Sequence, residues 1–359
     1  MTWRGWGAVV TALIAMLAAG CGGSTAPGSG GDQATGPGAT TSATAAARST
    51  VLIGFDASEP ALLAMAQGKV QGIVLQSPFK MGMLGVKTMV QHLEKQPVEA
   101  RISTGEFLVT PDNLNDPEVV ERVHPPKAEN VTASLSGGKS KKWRVMMIPK
   151  GSTHEFWKTV HAGALQAAED LGNVEVVWQG PQKEDDRVQQ IQLVQNAIAA
   201  GVGGIVVAPL DARALRQPVE AAIDKGIPVV IIDSALESTR TVSYVATDNY
   251  NGGVLAARRL GEVMGGEGRI ILLRYQVGSE STDQREKGFT DTIAKEFPRI
   301  TYLSDAEYAG ATQESAQQKS QTLVTRYRDK IDGVFCPNET STVGMLRVLE
   351  SAGLLSGRR

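Results

Sequence analysis

Short apolar runs in this chain are followed at once by side chains that form hydrogen bonds. Ser152-Thr153-His154 follow Arg144 to Ile148, Asp211 follows Gly204 to Ala208, and Asp233-Ser234 follow Val229 to Ile232. Asn338-Glu339 follow Gly333 to Phe335, Asp56 follows Phe55, and Gln76 follows Gly72 to Leu75. Hydroxyls, carboxylates and carboxamides in this mixture both donate and accept, which suits a polar small molecule. They assemble no nucleophile, base and orienting group at a recognisable spacing, and there is no Gly-x-Ser-x-Gly elbow or phosphate loop. Binding rather than catalysis is expected, without a cofactor. His92, His124, His154 and His161 are scattered. With no metal-ligand spacing and no Asp-x-Asp-x-Asp-Gly loop, no metal site is expected.

The elements that position these residues alternate. The apolar runs named above, with Val51 to Ile53 and Ile270 to Leu273, read as strands. Stretches with apolar residues three and four apart predict helices over Phe156–Leu171, Asp185–Ala200, Ala212–Lys225, Asn251–Met264, Gln284–Glu296, Ser341–Ala352, Glu59–Gln67 and Phe79–Glu94. Near-continuous apolar strands alternating with helices predict an α/β, doubly wound architecture with parallel sheets covered on both faces. Ligands of such sheets bind beyond the carboxyl ends of the strands, where the polar residues stand.

A chain of 359 residues supports two cores, so two lobes are expected. The formal charge of −2, with no long block of one sign, gives no reason to expect nucleic acid or an anionic membrane surface as partner. The N-terminus has the pattern of an export signal over residues 1–20: a short basic start, an apolar run from Ala8 to Ala19, then small residues before Cys21. That run is too short to span a bilayer. Ala18-Ala19-Gly20-Cys21 resembles a bacterial lipobox, which implies lipidation of Cys21; its departure is Ala18, where leucine is usual. An ordinary signal with a chance cysteine is the alternative. Cys336 then has no disulfide partner. Residues 21–48 collapse to Gly, Ala, Ser, Thr and Pro and are expected to form a flexible tether. Asp112 to Lys142, with little apolar periodicity, reads as a second linker.

Several stretches, in order, resemble the ribose-type (type I) periplasmic solute-binding proteins of ABC transporters. They are Gly201-Val202-Gly203-Gly204-Ile205, Gly226-Ile227-Pro228-Val229-Val230, Thr247-Asp248-Asn249 with Gly252-Gly253, Arg285-Glu286-Lys287-Gly288-Phe289, Pro337-Asn338-Glu339 and Gly54-Phe55-Asp56. In that family the Gly-Phe-Asp strand and the Gln-x-Pro turn come last. Here Val51 to Asp116 come first, so the resemblance implies a circularly permuted fold of two doubly wound lobes joined by a hinge. One lobe would be 77–104 plus 143–246 and the other 49–76 plus 247–359. Residues 105–116 would supply a hinge crossing and end strand, and 117–142 would bridge the family's usual termini.

Carried over residue by residue, the resemblance implies a ligand site of His154, Phe156, Trp157, Asp233 and Ser234 from one lobe. Arg285, Tyr308, Asn338, Asp56 and Gln76 come from the other. The aromatic rings would lie against a sugar ring, with Tyr308 as a second wall. Asp233 would accept from hydroxyls, and Arg285 with Asp233 or Asp56 would offset charge. Other roles remain open: Phe156 and Trp157 as core staples, Asp233 and Asp56 as helix caps, Asn338, Gln76 and Arg285 as hinge or loop braces. His154 stands where asparagine is usual, Ser234 where arginine is common and Asp283 where ribose binders have another arginine. A hexose, pentose, polyol or other cyclic polar compound is therefore expected in preference to ribose. The implied partner is an ABC permease, with hinge closure around a sugar and a lipid anchor as the sole membrane contact. A monomer in the cell envelope is expected. The same closure would equally serve a sensor that signals to a membrane receptor or kinase.

Overall fold

Parallel pairing of the apolar runs organises the protein into two sheets in the computed structural model, which describes residues 49–123 and 142–355. In chain order the first elements are β1 (Val51–Phe55), α1 (Glu59–Ala66), β2 (Gly72–Leu75), α2 (Pro78–Leu93), β3 (Arg101–Ser103), β4 (Phe107–Val109) and α3 (Pro117–Val123). Next come β5 (Trp143–Ile148), α4 (Glu155–Leu171), β6 (Val174–Trp178), α5 (Arg187–Ala199), β7 (Gly204–Val207), α6 (Arg216–Asp224), β8 (Val229–Ile232) and β9 (Ser243–Ala246). The remainder is α7 (Asn249–Met264), β10 (Glu267–Leu272), α8 (Glu280–Glu296), β11 (Arg299–Ser304), α9 (Gln313–Tyr327), β12 (Gly333–Phe335) and α10 (Glu339–Ser351).

One sheet runs β3-β9-β8-β7-β5-β6 and the other β11-β10-β12-β1-β2-β4. All pairings are parallel except β2 with β4, an antiparallel edge. Each sheet has an apolar cluster on either face. In the first, Val145, Met147, Val206, Val230 and Val245 point one way and Met146, Ile148, Ile205, Val207 and Ile231 the other. In the second, Leu52 and Ile73 face one cluster while Val51, Ile53, Phe55 and Val74 face its opposite. Burial on both faces is why these strands carry continuous rather than alternating apolar residues.

Matching helix contacts recur in the two lobes. A Cβ on Gly82 would lie 1.9 Å from the Val160 carbonyl oxygen and one on Gly163 1.9 Å from that of Phe79, so α2 and α4 touch backbone to backbone. Gly253 and Gly288 make the same reciprocal approach between α7 and α8, at 2.0 Å from the carbonyl oxygens of Arg285 and Tyr250.

The chain passes between the sheets four times: between β4 and β5, and at three crossings after β2, between β3 and β4, and after β9. Thr247 Oγ1 donates to Gln76 Oε1 at 3.0 Å, and the Thr104 and Thr247 hydroxyls lie 3.4 Å apart, so hydrogen bonds link the three crossings. β1 pairs in register with β12, Val51 opposite Gly333, and the Thr50 backbone N–H donates to the Leu354 carbonyl at 2.8 Å.

Two expectations need correction. Asp112 to Lys142 is not wholly linker: 117–123 forms α3, and Val119 is buried in the core beside Val70 and Leu75. Seven residues are too few to establish a helical period. The sheets also gain edge strands absent from the sequence reading, β3, β6 and β11, because half-exposed strands lack a continuous apolar run, while edge strand β4 falls within 105–116, where an end strand is expected. Inner strand β9 and helix α9 are likewise additions. The signal and tether, Cys21, and 124–141 lie outside the described residues.

Candidate functional site

The carboxyl ends of β5, β8, β1 and β12 converge on a cleft between the lobes. It has a volume of about 360 Å³, its open mouth included.

Asp233 and Asp56 leave their strands in the left-handed conformation, at φ 63° and 68°. This conformation is uncommon outside glycine, and Asp tolerates it better than bulkier residues. Asp233 Oδ2 pairs with Lys150 Nζ at 2.8 Å, both side chains about 5 % exposed or less. Lys150 also donates to Ser234 Oγ at 2.7 Å and reaches Ser281 Oγ, in the opposite lobe, at 3.2 Å. Asp56 Oδ1 accepts from Gln76 Nε2 at 2.7 Å, and its Oδ2 accepts the backbone N–H of Glu339 at 3.1 Å. Burial raises the Asp56 carboxyl above the ordinary range, against the lowering influence of Arg285 and these hydrogen bonds.

Asn338 begins α10 as its N-cap. Its Oδ1 accepts from the Ser341 backbone N–H at 3.2 Å in a reciprocal capping box, which leaves its Nδ2 donors for the cleft. Arg285 Nε donates to Asn249 Oδ1 and Nη1 to the Pro337 carbonyl, both at 2.9 Å, and its guanidinium lies 4.0 Å from the Phe55 ring centroid. Arg285 is thus held rigidly on α8.

Glu184, from the loop after β6, organises the other wall. Its carboxylate accepts from Trp157 Nε1 and from the Tyr275 hydroxyl of the opposite lobe, and lies 3.0 Å from His154 Nδ1. Burial would raise its pKa, but the His154 hydrogen bond and charge, the Lys150 charge and the Tyr275 hydroxyl hold it at about 2. Burial alone would lower His154; the Glu184 hydrogen bond and charge outweigh it and raise the imidazole to about 8.

Asp56, Gln76, His154, Phe156, Trp157, Asp233, Arg285 and Asn338 all line the cleft. Trp157 does so by its edge, its ring being buried in the core beside Val145 and Val160. Phe156 packs edge-to-face on it at 4.8 Å and presents the more accessible ring. Tyr308 does not join them. It lies 37 % exposed in a neighbouring groove, under the Arg274 guanidinium, and the aromatic side chain that reaches the cleft from that lobe is Tyr275. Ser234 is fully buried, and its hydroxyl bonds to Ser281 at 2.8 Å across the lobes, so it braces rather than lines the cleft. Lys150 sets an ammonium beside that hydroxyl, at 2.7 Å. Lys150, Glu184, Tyr275, Ser279, Ser281 and Thr282 line the cleft without having been foreseen, and Glu339, noted in the sequence only as following a strand, completes the lining. Lys150, two residues beyond the apolar run of β5, carried the one signal available, its place past a strand end. Among the described residues no group of His, Cys, Asp and Glu side chains is arranged to hold a metal ion.

Two α/β lobes, three crossings linked by hydrogen bonds and a polar cleft between them define a hinged binding protein. The chain belongs to the periplasmic binding protein domain family, whose model matches residues 145–358. It is 30 % identical to the xylitol-binding protein of Mycolicibacterium smegmatis over 181 residues, 50 % of this chain, and spans about half (51 %) of that relative's length. It is 24 % identical to the ribose import binding protein of Escherichia coli, over 62 % of this chain and 73 % of that one. Among solved structures, the carbohydrate transporter solute-binding protein of Agrobacterium radiobacter in complex with D-arabinose matches at 32 % identity and TM-score 0.57, covering 59 % of this chain and 72 % of its own. The periplasmic sugar-transport component of Hahella chejuensis matches at 33 % and TM-score 0.56, covering 59 % and 76 %.

Proposed function

We propose that this protein captures a monosaccharide or polyol by closing its lobes and delivers it to an ABC permease from a lipid-anchored position outside the cytoplasm. The observation that carries the reading is a polar cleft lined from both lobes, with Asp233 and Lys150 on one side and Asp56, Arg285 and Asn338 on the other. A ring seated there has hydrogen-bonding edges on both sides and the Phe156 ring for its apolar face. Ser234 with Ser281, and Glu184 with Tyr275, already join the lobes, so entry requires them to part and capture lets them rejoin. The names of the relatives, which bind xylitol, ribose and arabinose, support a polyol or monosaccharide as ligand.

We also infer that the chain is a circular permutation of the family's order, with lobes of 77–104 plus 143–246 and of 49–76 plus 247–359. The position of β1 between β12 and β2, and a family match that begins only at residue 145, support this. Permutation moves the ends of the chain and leaves the hinge crossings in place.

A thermal-shift screen of the purified protein against sugars and polyols tests the capture. A ligand at 100 times its dissociation constant adds about 2.7 kcal/mol of stability. Absence of any shift across pentoses, hexoses and alditols would overturn the reading.

A further inference from the structure

Four carboxylates line the cleft, Asp56, Glu184, Asp233 and Glu339, against three cationic side chains, Lys150, His154 and Arg285. Lys150 pairs with Asp233, His154 with Glu184, and Arg285 is the chief opposing charge at Asp56. Glu339 lines the same cleft at 9 % exposure, and no cation among the described residues forms an ion pair with it. Its carboxylate meets the Phe156 backbone N–H from the opposite lobe. Its place in the first turn of α10 adds helix-dipole support of only about 0.3–1 kcal/mol. An uncompensated buried carboxylate costs several kcal/mol, so closure over this cleft leaves a charge unbalanced. Burial and the neighbouring Asp56 push the Glu339 carboxyl up to about 7, against the smaller lowering influence of His154. A ligand hydroxyl would supply a dipole to this group, whereas an ammonium supplies a full opposite charge and three donors.

We propose that the preferred ligand is a sugar or polyol bearing a protonated amine, seated with that amine against Glu339 beside Asp56. This rests on the capture reading and narrows it: the ring lies in the cleft as described, and Glu339 decides which ring is preferred.

Calorimetric titration at pH 7 with D-glucosamine, D-galactosamine and D-mannosamine, each beside its hydroxyl counterpart, is the test. At least one amino sugar should bind about tenfold or more tightly than its counterpart, and Glu339→Gln should erase most of that ratio, in keeping with loss of a buried charge pair. Glu339→Asp, which keeps the charge, should retain part of it, and circular dichroism confirms that each variant folds. If neutral sugars bind and no amino counterpart binds more tightly, or the ratio survives Glu339→Gln in a folded protein, the inference is overturned and capture stands. If neither class binds, both readings fall for this panel's ligand class.

Discussion

Asp56 and Asp233 hold equivalent posts in the two lobes: each directly follows the last residue of a parallel strand, each turns its backbone left-handed, and each directs a carboxylate into the shared cleft. Backbone strain of this kind, of order 1–3 kcal/mol per residue, persists where surrounding contacts over-determine it. Here the contacts are Lys150 at one post and Gln76 with the Glu339 backbone at the other.

Asp233→Ala removes the partner of a buried ammonium. A loss of about 3–5 kcal/mol in unfolding free energy is expected, read from the urea midpoint. Lys150→Met in the same background should recover much of it by removing the stranded charge. Failure of the second change to restore stability would show that the pair is not the source of the loss.

Tyr275→Phe deletes the hydroxyl that Glu184 accepts across the lobes, while leaving the ring in place. A hydrogen bond to a charged group contributes about 1.5–3 kcal/mol, so the closed form should lose roughly that advantage. Small-angle scattering should show a larger radius of gyration for the variant without ligand. An unchanged radius would mean that the remaining contacts between the lobes, Ser234–Ser281 and Lys150–Ser281 among them, hold closure without it.

Several groups give stability the same pH slope, Asp56 with its raised carboxyl among them. His154, raised to about 8 from 6.5, contributes stability fully present below about pH 6.5 and lost as pH rises through 8. Glu286 and Glu339, raised from 4.5 to about 7, ionise less readily in the folded state than in the unfolded chain, so their ionisation also removes stability as pH rises from 4.5 through 7. Glu184, lowered to about 2, contributes stability above pH 4.5 that is lost as pH falls through 2. Melting temperature should therefore peak near pH 4.5 to 5 and fall toward pH 8. His154→Gln should flatten the part between 6.5 and 8, worth about 2 kcal/mol. A wild-type profile rising over that interval would contradict the His154–Glu184 geometry.

Gly253→Ala would set a methyl 2.0 Å from the Arg285 carbonyl oxygen. Relief requires α7 and α8 to separate, at about 1–3 kcal/mol for overpacking, and α8 carries Arg285, Ser281 and Thr282. Ligand affinity should fall along with stability. Gly201→Ala, where a Cβ meets nothing within 4 Å but the backbone is left-handed, should cost stability without touching affinity. Equal affinity loss in both would detach the helix contact from the cleft.

A rearranged chain that begins at Lys142, runs to Leu355 and continues through a short Gly-Ser link into Ser49 to Val123 should fold to the same structure. Thr50 and Leu354 are already hydrogen-bonded neighbours. Its melting temperature should lie within about 5 °C of the parent, a difference of roughly 1–3 kcal/mol for a chain of this size. A rearranged chain that stays unfolded would remove the permutation reading.

Runs such as Val229 to Ile232 and Gly333 to Phe335 were enough to establish doubly covered parallel strands, because a strand buried on both faces must be apolar at every position. The posts just beyond them followed, since the carboxyl ends of such strands open on the cleft; this is why Asp56, Asp233 and Asn338 were legible as candidates. What these side chains touch was settled by tertiary structure alone. Glu184 meets Tyr275 across 91 residues of chain and Lys150 meets Ser281 across 131, contacts that no local period encodes. The same approach of the lobes spends Ser234 on a brace and leaves Tyr308 outside, because the place of a side chain between two lobes depends on how both halves close and not on its own neighbours in sequence.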